Sequence, residues 1–192
     1  TVAHRVVVAH PGKLKLISNV KRKNDRVDAI KLAKLLAIDM LAAVHVPPAE
    51  VQAWRKLIQF RRRLVEKRVA TKTQIRAMLR GEEITPVRRL WSPQGRQWLT
   101  DEAPWPTEAD RTHMKVLVAE LEEYQQKIDT VTKQLDRMGR QYPGVALLRT
   151  IPGIGPRTAE ALVAWIDDPK RFSRSKQIGT YLGLVPCQDQ SG

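Results

Sequence analysis

Asp25 and Asp28 stand three residues apart in KRKNDRVDAIKLAKLL, residues 21–36, where an apolar periodic segment begins among lysines and arginines. Two chemistries fit that spacing. Carboxylates in a first helical turn satisfy free N–H groups and the positive end of the helix dipole, with Asp25 as N-cap and Asp28 completing an imitation of a capping box. The same i, i+3 spacing sets two side chains about 5–6 Å apart on one helix face, where hard oxygen donors would share a site for divalent cations. Paired Mg²⁺ ions can activate a nucleophile and stabilise a leaving oxygen in phosphodiester chemistry. Two aspartates alone are too few for a nuclease-type centre, so further carboxylates would have to come from elsewhere.

The second chemical stretch is IPGIGPRTA, residues 151–159. Gly153 and Gly155 allow a tight hairpin whose backbone N–H groups approach a phosphate, and Pro156 suits the first turn of a helix whose positive end, with Arg157 and Thr158, faces the same anion. That is the pattern of a helix-hairpin-helix, which holds nucleic acid without reading its sequence. An ordinary glycine turn between helices has the same outline. The lone cysteine, Cys187, has no nearby histidine and reads as a packing residue, while His4, His10, His45 and His113 show no metal-ligand spacing.

Positioning these groups falls to a mainly helical chain. Arg5–Ala9 is a short β-branched run that reads as one buried strand, and its partner strands are expected upstream of Thr1. From Asp25 the pattern turns helical, with Val27, Ile30, Leu32, Leu35 and Leu36 on an apolar side that runs toward Pro47–Pro48. Residues 49–80 predict a long helix ended by Gly81, apolar along Val51, Trp54, Leu57, Leu64, Ile75 and Leu79 and basic around the rest. WSPQGRQWLTDEAPWP, residues 91–106, reads as an irregular connector with packed or docking aromatics. Met114, Leu117, Leu121, Tyr124, Ile128, Val131, Leu135 and Met138 then form a heptad seam that needs either the 49–80 helix or a second subunit as partner. Residues 142–192 read as a separate unit of three short helices.

The whole chain carries a formal net charge of +14, and residues 21–80 hold 16 Lys and Arg against 5 Asp and Glu. Charge gathered on one segment points to a polyanion, nucleic acid before anionic membrane. No run reaches the length of a membrane span and no signal peptide opens the chain, which predicts a cytoplasmic protein. Lys21, Arg22, Lys23, Arg61, Arg62, Arg63, Arg68 and Lys72 are the candidate side chains for nucleic acid, beside Gly153, Gly155, Arg157 and Thr158.

RKNDRVDA at 22–29, RRRLV at 61–65, IPGIGPRTA at 151–159, RF at 171–172, YLGLVP at 181–186 and the Ser191–Gly192 step occur in this order in one family. In these motifs the chain resembles the DEDD transposases related to the Piv DNA invertase, insertion-sequence family one-ten, which include bridge-RNA-guided recombinases. The resemblance implies the end of a RuvC-like, RNase H-type α/β domain over 1–48. It further implies a long helical coiled-coil region over 49–141 and a small helix-hairpin-helix transposase domain over 142–192. Asp25 and Asp28 would be the third and fourth acids of a Mg²⁺-binding tetrad, and Ser191 the nucleophile that forms a covalent link to DNA. DNA, a structured guide RNA and a second copy held through the coiled coil would be the partners. By the same resemblance the chain is a fragment, lacking half the tetrad and inactive alone. The rival reading keeps the basic helices and the dimerisation region without any chemistry.

Overall fold

The computed structural model describes residues 7–9, 25–41 and 43–185, and the chain falls into two compact units, Thr1–Pro48 and Ala49–Gly192. In the first, helix α1 spans Asp25–Ala37 and carries both aspartates in its first turn. It stops ten residues short of the prolines that the periodicity suggests. Asp39 takes a left-handed φ of 52°, the Met40 N–H donates to Leu35 O at 2.9 Å and the Asp39 N–H donates to Leu36 O at 3.2 Å. This is a Schellman ending, with aspartate in the position glycine usually takes. The chain then turns extended. Ala9 and Ala43 form an antiparallel bridge, and the Val44 N–H donates to Val8 O at 2.7 Å. Of the strand expected over 5–9, this bridge is what the described residues contain. Leu35 is the buried residue of α1, whereas Val27, Ile30 and Leu36 are exposed.

The second unit is built on two long helices, α2 (Ala49–Gly81) and α4 (Glu108–Gly139), joined through the short α3 (Pro93–Asp101). Arg61 donates to Thr132, Arg68 to Gln125 and Thr71 to Glu120, so rising numbers on α2 meet falling numbers on α4 and the pair is antiparallel. The heptad seam therefore finds its partner within the chain. Leu121 and Ile128 are 4% and 3% exposed. A charge at either would be buried in this chain's own core rather than in a subunit interface.

The seam carries an apolar cluster toward each end, with Leu64 and Ile128 buried between them. One cluster gathers Ile75, Leu79, Leu99, Trp105, Met114 and Leu121, and the other gathers Trp54, Leu135, Val145, Ala159 and Ala164. Gly81 does not stop α2 as its type suggests, since it is still helical. The stop is Glu83 at φ 55°, with the Ile84 N–H on Leu79 O at 2.8 Å and the Ile84 side chain packed on the first cluster.

The connector is more ordered than its Trp and Pro content implies. Ser92 caps α3 by accepting the Gly95 N–H at 3.1 Å, and Pro93 occupies the first turn, where its missing N–H costs nothing. Trp105 is buried and its indole N–H donates to Leu99 O at 2.7 Å, so this aromatic is core. Gly95 lies where a Cβ would fall 2.3 Å from Arg89 O and 2.5 Å from Leu90 O. Because both obstacles are backbone, Gly95→Ala is expected to cost about 1–3 kcal/mol of unfolding free energy, measured by urea titration.

Beyond α4 come α5 (Pro143–Leu148), α6 (Pro156–Ile166), a 3₁₀ turn at Pro169–Arg171 and α7 (Ser175–Tyr181). Three short helices are as the sequence predicts. Val145 of α5 and Ala159 and Ala164 of α6 share their core cluster with Trp54 and Leu135 of the long pair. The described residues are mainly helical, and none of their helices is long and apolar enough to cross a membrane.

Candidate nucleic-acid interface

The glycine turn sits between α5 and α6. Gly153 adopts φ 87°, open to glycine at little cost, and the Ile154 N–H closes onto Ile151 O at 3.1 Å. Gly155 is the N-cap of α6 and offers no side-chain cap. Gly153, Gly155, Pro156 and Thr158 are all exposed, so the open N–H groups of the first α6 turn face solvent. An anion can approach them.

Arg157 behaves differently from the free cation its motif position suggests. Its guanidinium pairs with Asp136 of α4 and, at 2.9 Å, with the nearly buried Glu160 of its own helix. Burial raises the Glu160 carboxyl above its ordinary range, against the lowering effect of Arg157. Arg61 stands near this group and has its own pKa lowered, first by burial and then by Arg157 and Arg68, while donating to Thr132 Oγ1 at 2.7 Å. Arg157 thus ties α6 to α4, while the Arg61 bond lies within the long pair.

Two further arginines close the far end of α6. Arg55 donates to Ala164 O at 2.7 Å and Trp165 O at 3.1 Å, and Arg171 to Ile166 O at 3.1 Å and Trp165 O at 3.3 Å. These bonds satisfy carbonyls that a helix end leaves unpaired. Arg171 also lies 4.2 Å from the Phe172 ring centre and 4.4 Å from that of Tyr181. The RF and YLGL motifs are in this respect packing devices.

Of the other basic candidates, Arg62 and Arg63 are exposed on α2, Arg62 in a surface pair with Glu66 at 2.8 Å. Such a pair contributes little and leaves the guanidinium available. Arg68 and Lys72 line a cleft between α2, α3 and α4 together with Trp91 and Arg96. Arg76 also lies against Trp91. The sequence reads Trp91 only as a packed or docking aromatic of the connector and gives Arg96 no role, since it is the fold of α3 that brings them to α2. Asp25 is exposed and Asp28 half-buried at the start of α1. No group of three or more His, Cys, Asp or Glu residues placed to hold a metal occurs among the described residues. Lys21, Arg22, Lys23, Cys187 and Ser191 lie outside the described residues.

Comparison with known proteins adds to this geometry. Residues 145–192 match a family model described as Transposase IS116/IS110/IS902 family, and residues 2–83 match a DEDD transposase model of the IS110 type. A putative transposase, y4qE, of Sinorhizobium fredii is 28% identical over all of this chain and 47% of its own length. The transposase for insertion sequence element IS1111A of Coxiella burnetii is 29% identical over 88% of this chain and 47% of its own length. A pilin gene-inverting protein of Moraxella lacunata is 45% identical over 24% of this chain and 15% of its own length. Both family models describe transposases, which are DNA-recombination enzymes. Residues 2–83 and 145–192 are thus similar to transposases of the IS110/IS116/IS902 type, and the chain spans about half the length of the curated relatives it matches.

Proposed function

We propose that this chain serves a DNA transposase that binds DNA and a structured guide RNA and cuts and rejoins DNA with Mg²⁺ and a serine nucleophile. The observation that carries the reading is the pair of transposase matches at 2–83 and 145–192, one holding Asp25 and Asp28 and the other the exposed glycine turn. The basic α2 helix, within the first match, supplies counter-charge for a phosphate backbone.

Asp25 and Asp28 fit a hard cation in part, because they are two carboxylates on the same turn of α1, with Asp25 exposed. Remaining ligands would come from other carboxylates, water or the substrate phosphate. When bound, Mg²⁺ supplies charge stabilisation at the reacting phosphate. In the covalent step the Ser191 Oγ–phosphorus bond would form as the bond from phosphorus to a sugar oxygen breaks, the hydroxyl proton passing finally to that oxygen. The N–H groups of the glycine turn and the α2 arginines would hold the backbone in register. Assembly with a second copy would use the outer faces of the long helices, since their shared seam is filled within the chain.

Mn²⁺ titration followed by paramagnetic resonance tests the metal part. Asp25→Asn with Asp28→Asn is expected to weaken Mn²⁺ binding by about tenfold or more, and to leave salt-dependent binding of DNA and RNA within about twofold. Unchanged Mn²⁺ binding would sink the metal assignment and leave a nucleic-acid-binding module.

A further inference from the structure

Trp91, at the start of the connector, lies against two cations of α2. Lys72 Nζ is 4.7 Å from its ring centre and the Arg76 guanidinium carbon 5.3 Å. Arg96 of α3 donates to the Trp91 carbonyl at 2.8 Å and pairs with Glu122 of α4 at 3.0 Å, which anchors the ring's backbone. Arg68 donates to Gln125, and its buried Nε has no hydrogen-bond partner among the described residues. Arg68, Lys72, Trp91, Arg96 and Glu122 line a cleft of about 400 Å³ floored by the buried Leu121, while Arg76 lies on the Trp91 ring outside that lining.

Four cations meet one paired carboxylate here. Neither Lys72 nor Arg76 has a carboxylate partner among the described residues. Held this close, they repel one another, and Lys72 has its pKa lowered by burial first and then by Arg68, Arg76 and Arg96. Nothing in the packing requires such crowding. The aromatic ring offsets some of it, since cations are attracted to its face. An anion placed among them would remove the rest and give the orphaned Arg68 Nε an acceptor.

We propose that this cleft is a phosphodiester site for an unpaired nucleic-acid strand, with Arg68 and Lys72 on the phosphate, Trp91 as the wall beside them and Arg76 adding charge from the Trp91 ring. The inference rests on the nucleic-acid reading above and adds to it a specific place and strand type. A space of this volume is that of a small-ligand cleft. A duplex, whose phosphates lie on a broad convex surface, would reach only its rim, whereas a single strand can lay one nucleotide inside. A cationic groove beside an aromatic ring is the general means of holding such strands.

The test uses the full chain with a labelled single strand and a duplex of the same sequence, titrated across a salt series, with RNA and DNA arms. Arg68→Gln with Lys72→Gln is compared with Lys115→Gln plus Lys133→Gln, which removes the same charge from exposed positions of α4. The cleft variant is expected to flatten the salt slope for single strands by about 1.4 and weaken binding on the order of tenfold at 100 mM salt. Both single-strand arms should show this, and the duplex should lose no more than in the control. Circular dichroism should be unchanged, and Arg68→Gln alone should flatten the slope by about half as much. Losses no larger than the control, or equal losses on duplex, overturn the cleft while the wider reading stands. A wild-type chain without salt-dependent binding of any nucleic acid overturns both.

Discussion

Trp54→Ala is expected to lower the unfolding free energy of the Ala49–Gly192 unit by about 3–5 kcal/mol, read from urea unfolding followed by circular dichroism. Trp54 is fully buried and stacks on Tyr142 with ring centres 4.3 Å apart and planes 14° apart. It shares a cluster with Leu135 of α4, Val145 of α5 and Ala159 and Ala164 of α6. Its removal would leave a cavity where the long pair meets the glycine-turn helices. Tyr142 would lose its stacking partner at the same time. Trp54→Phe should cost distinctly less, because a ring remains for Tyr142 and the indole Nε1, buried without a partner among the described residues, disappears. An alanine variant as stable as the wild type would mean that the C-terminal helices hold together without this residue.

Arg157→Ala is the second large effect. It would leave the Glu160 carboxylate nearly buried beside Asp136 with its main counter-charge gone, and unpairing a buried ion typically costs about 3–5 kcal/mol. The exposure of Asp136 draws the expected value to the lower end, about 3 kcal/mol at neutral pH.

The pH dependence has a definite sign. Burial holds the folded-state pKa of Glu160 above its ordinary range, so the folded state binds a proton more tightly than the unfolded one. The stability linked to this group is complete below the unfolded carboxylate range and falls as pH rises through the folded value. Arg157 opposes the upward shift, so its removal moves the loss to higher pH and enlarges it. The variant should therefore approach wild-type stability in mild acid and depart from it toward neutrality. A second variant, Arg157→Ala with Glu160→Gln, should recover much of the loss, since the buried group is then neutral. Lost nucleic-acid affinity with no change in stability would instead return Arg157 to a direct role at the phosphate.

The long helices were legible because a 3.5-residue repeat reports that one face is buried whatever covers it. All eight seam residues are buried or half-buried on α4. The partner was not legible, since α2 and a second subunit would satisfy the same repeat. Helix ends were misjudged for a related reason. Asp39 and Glu83 take the left-handed position that glycine usually fills, and a propensity argument looks to Gly81 and Pro47 instead. After α2 the half-buried Ile84 makes the difference, because its contact with the core favours the turn that delivers it.

What the sequence determined by itself was the helical class, the concentration of positive charge on residues 21–80, the glycine turn and the acidic pair, together with an order of motifs similar to that of IS110-type transposases. These are properties of short segments, written in period, composition and residue type. Only the tertiary structure decided which basic residues are engaged and which are open. Arg55, Arg61, Arg157 and Arg171 look like binding residues by type yet act within the fold. Arg68 and Lys72 gather with Trp91 at a cleft that Arg96 of α3 completes. A guanidinium serves a carbonyl, a carboxylate or a phosphate with the same donors, and its neighbours in space, drawn from distant parts of the chain, select among them.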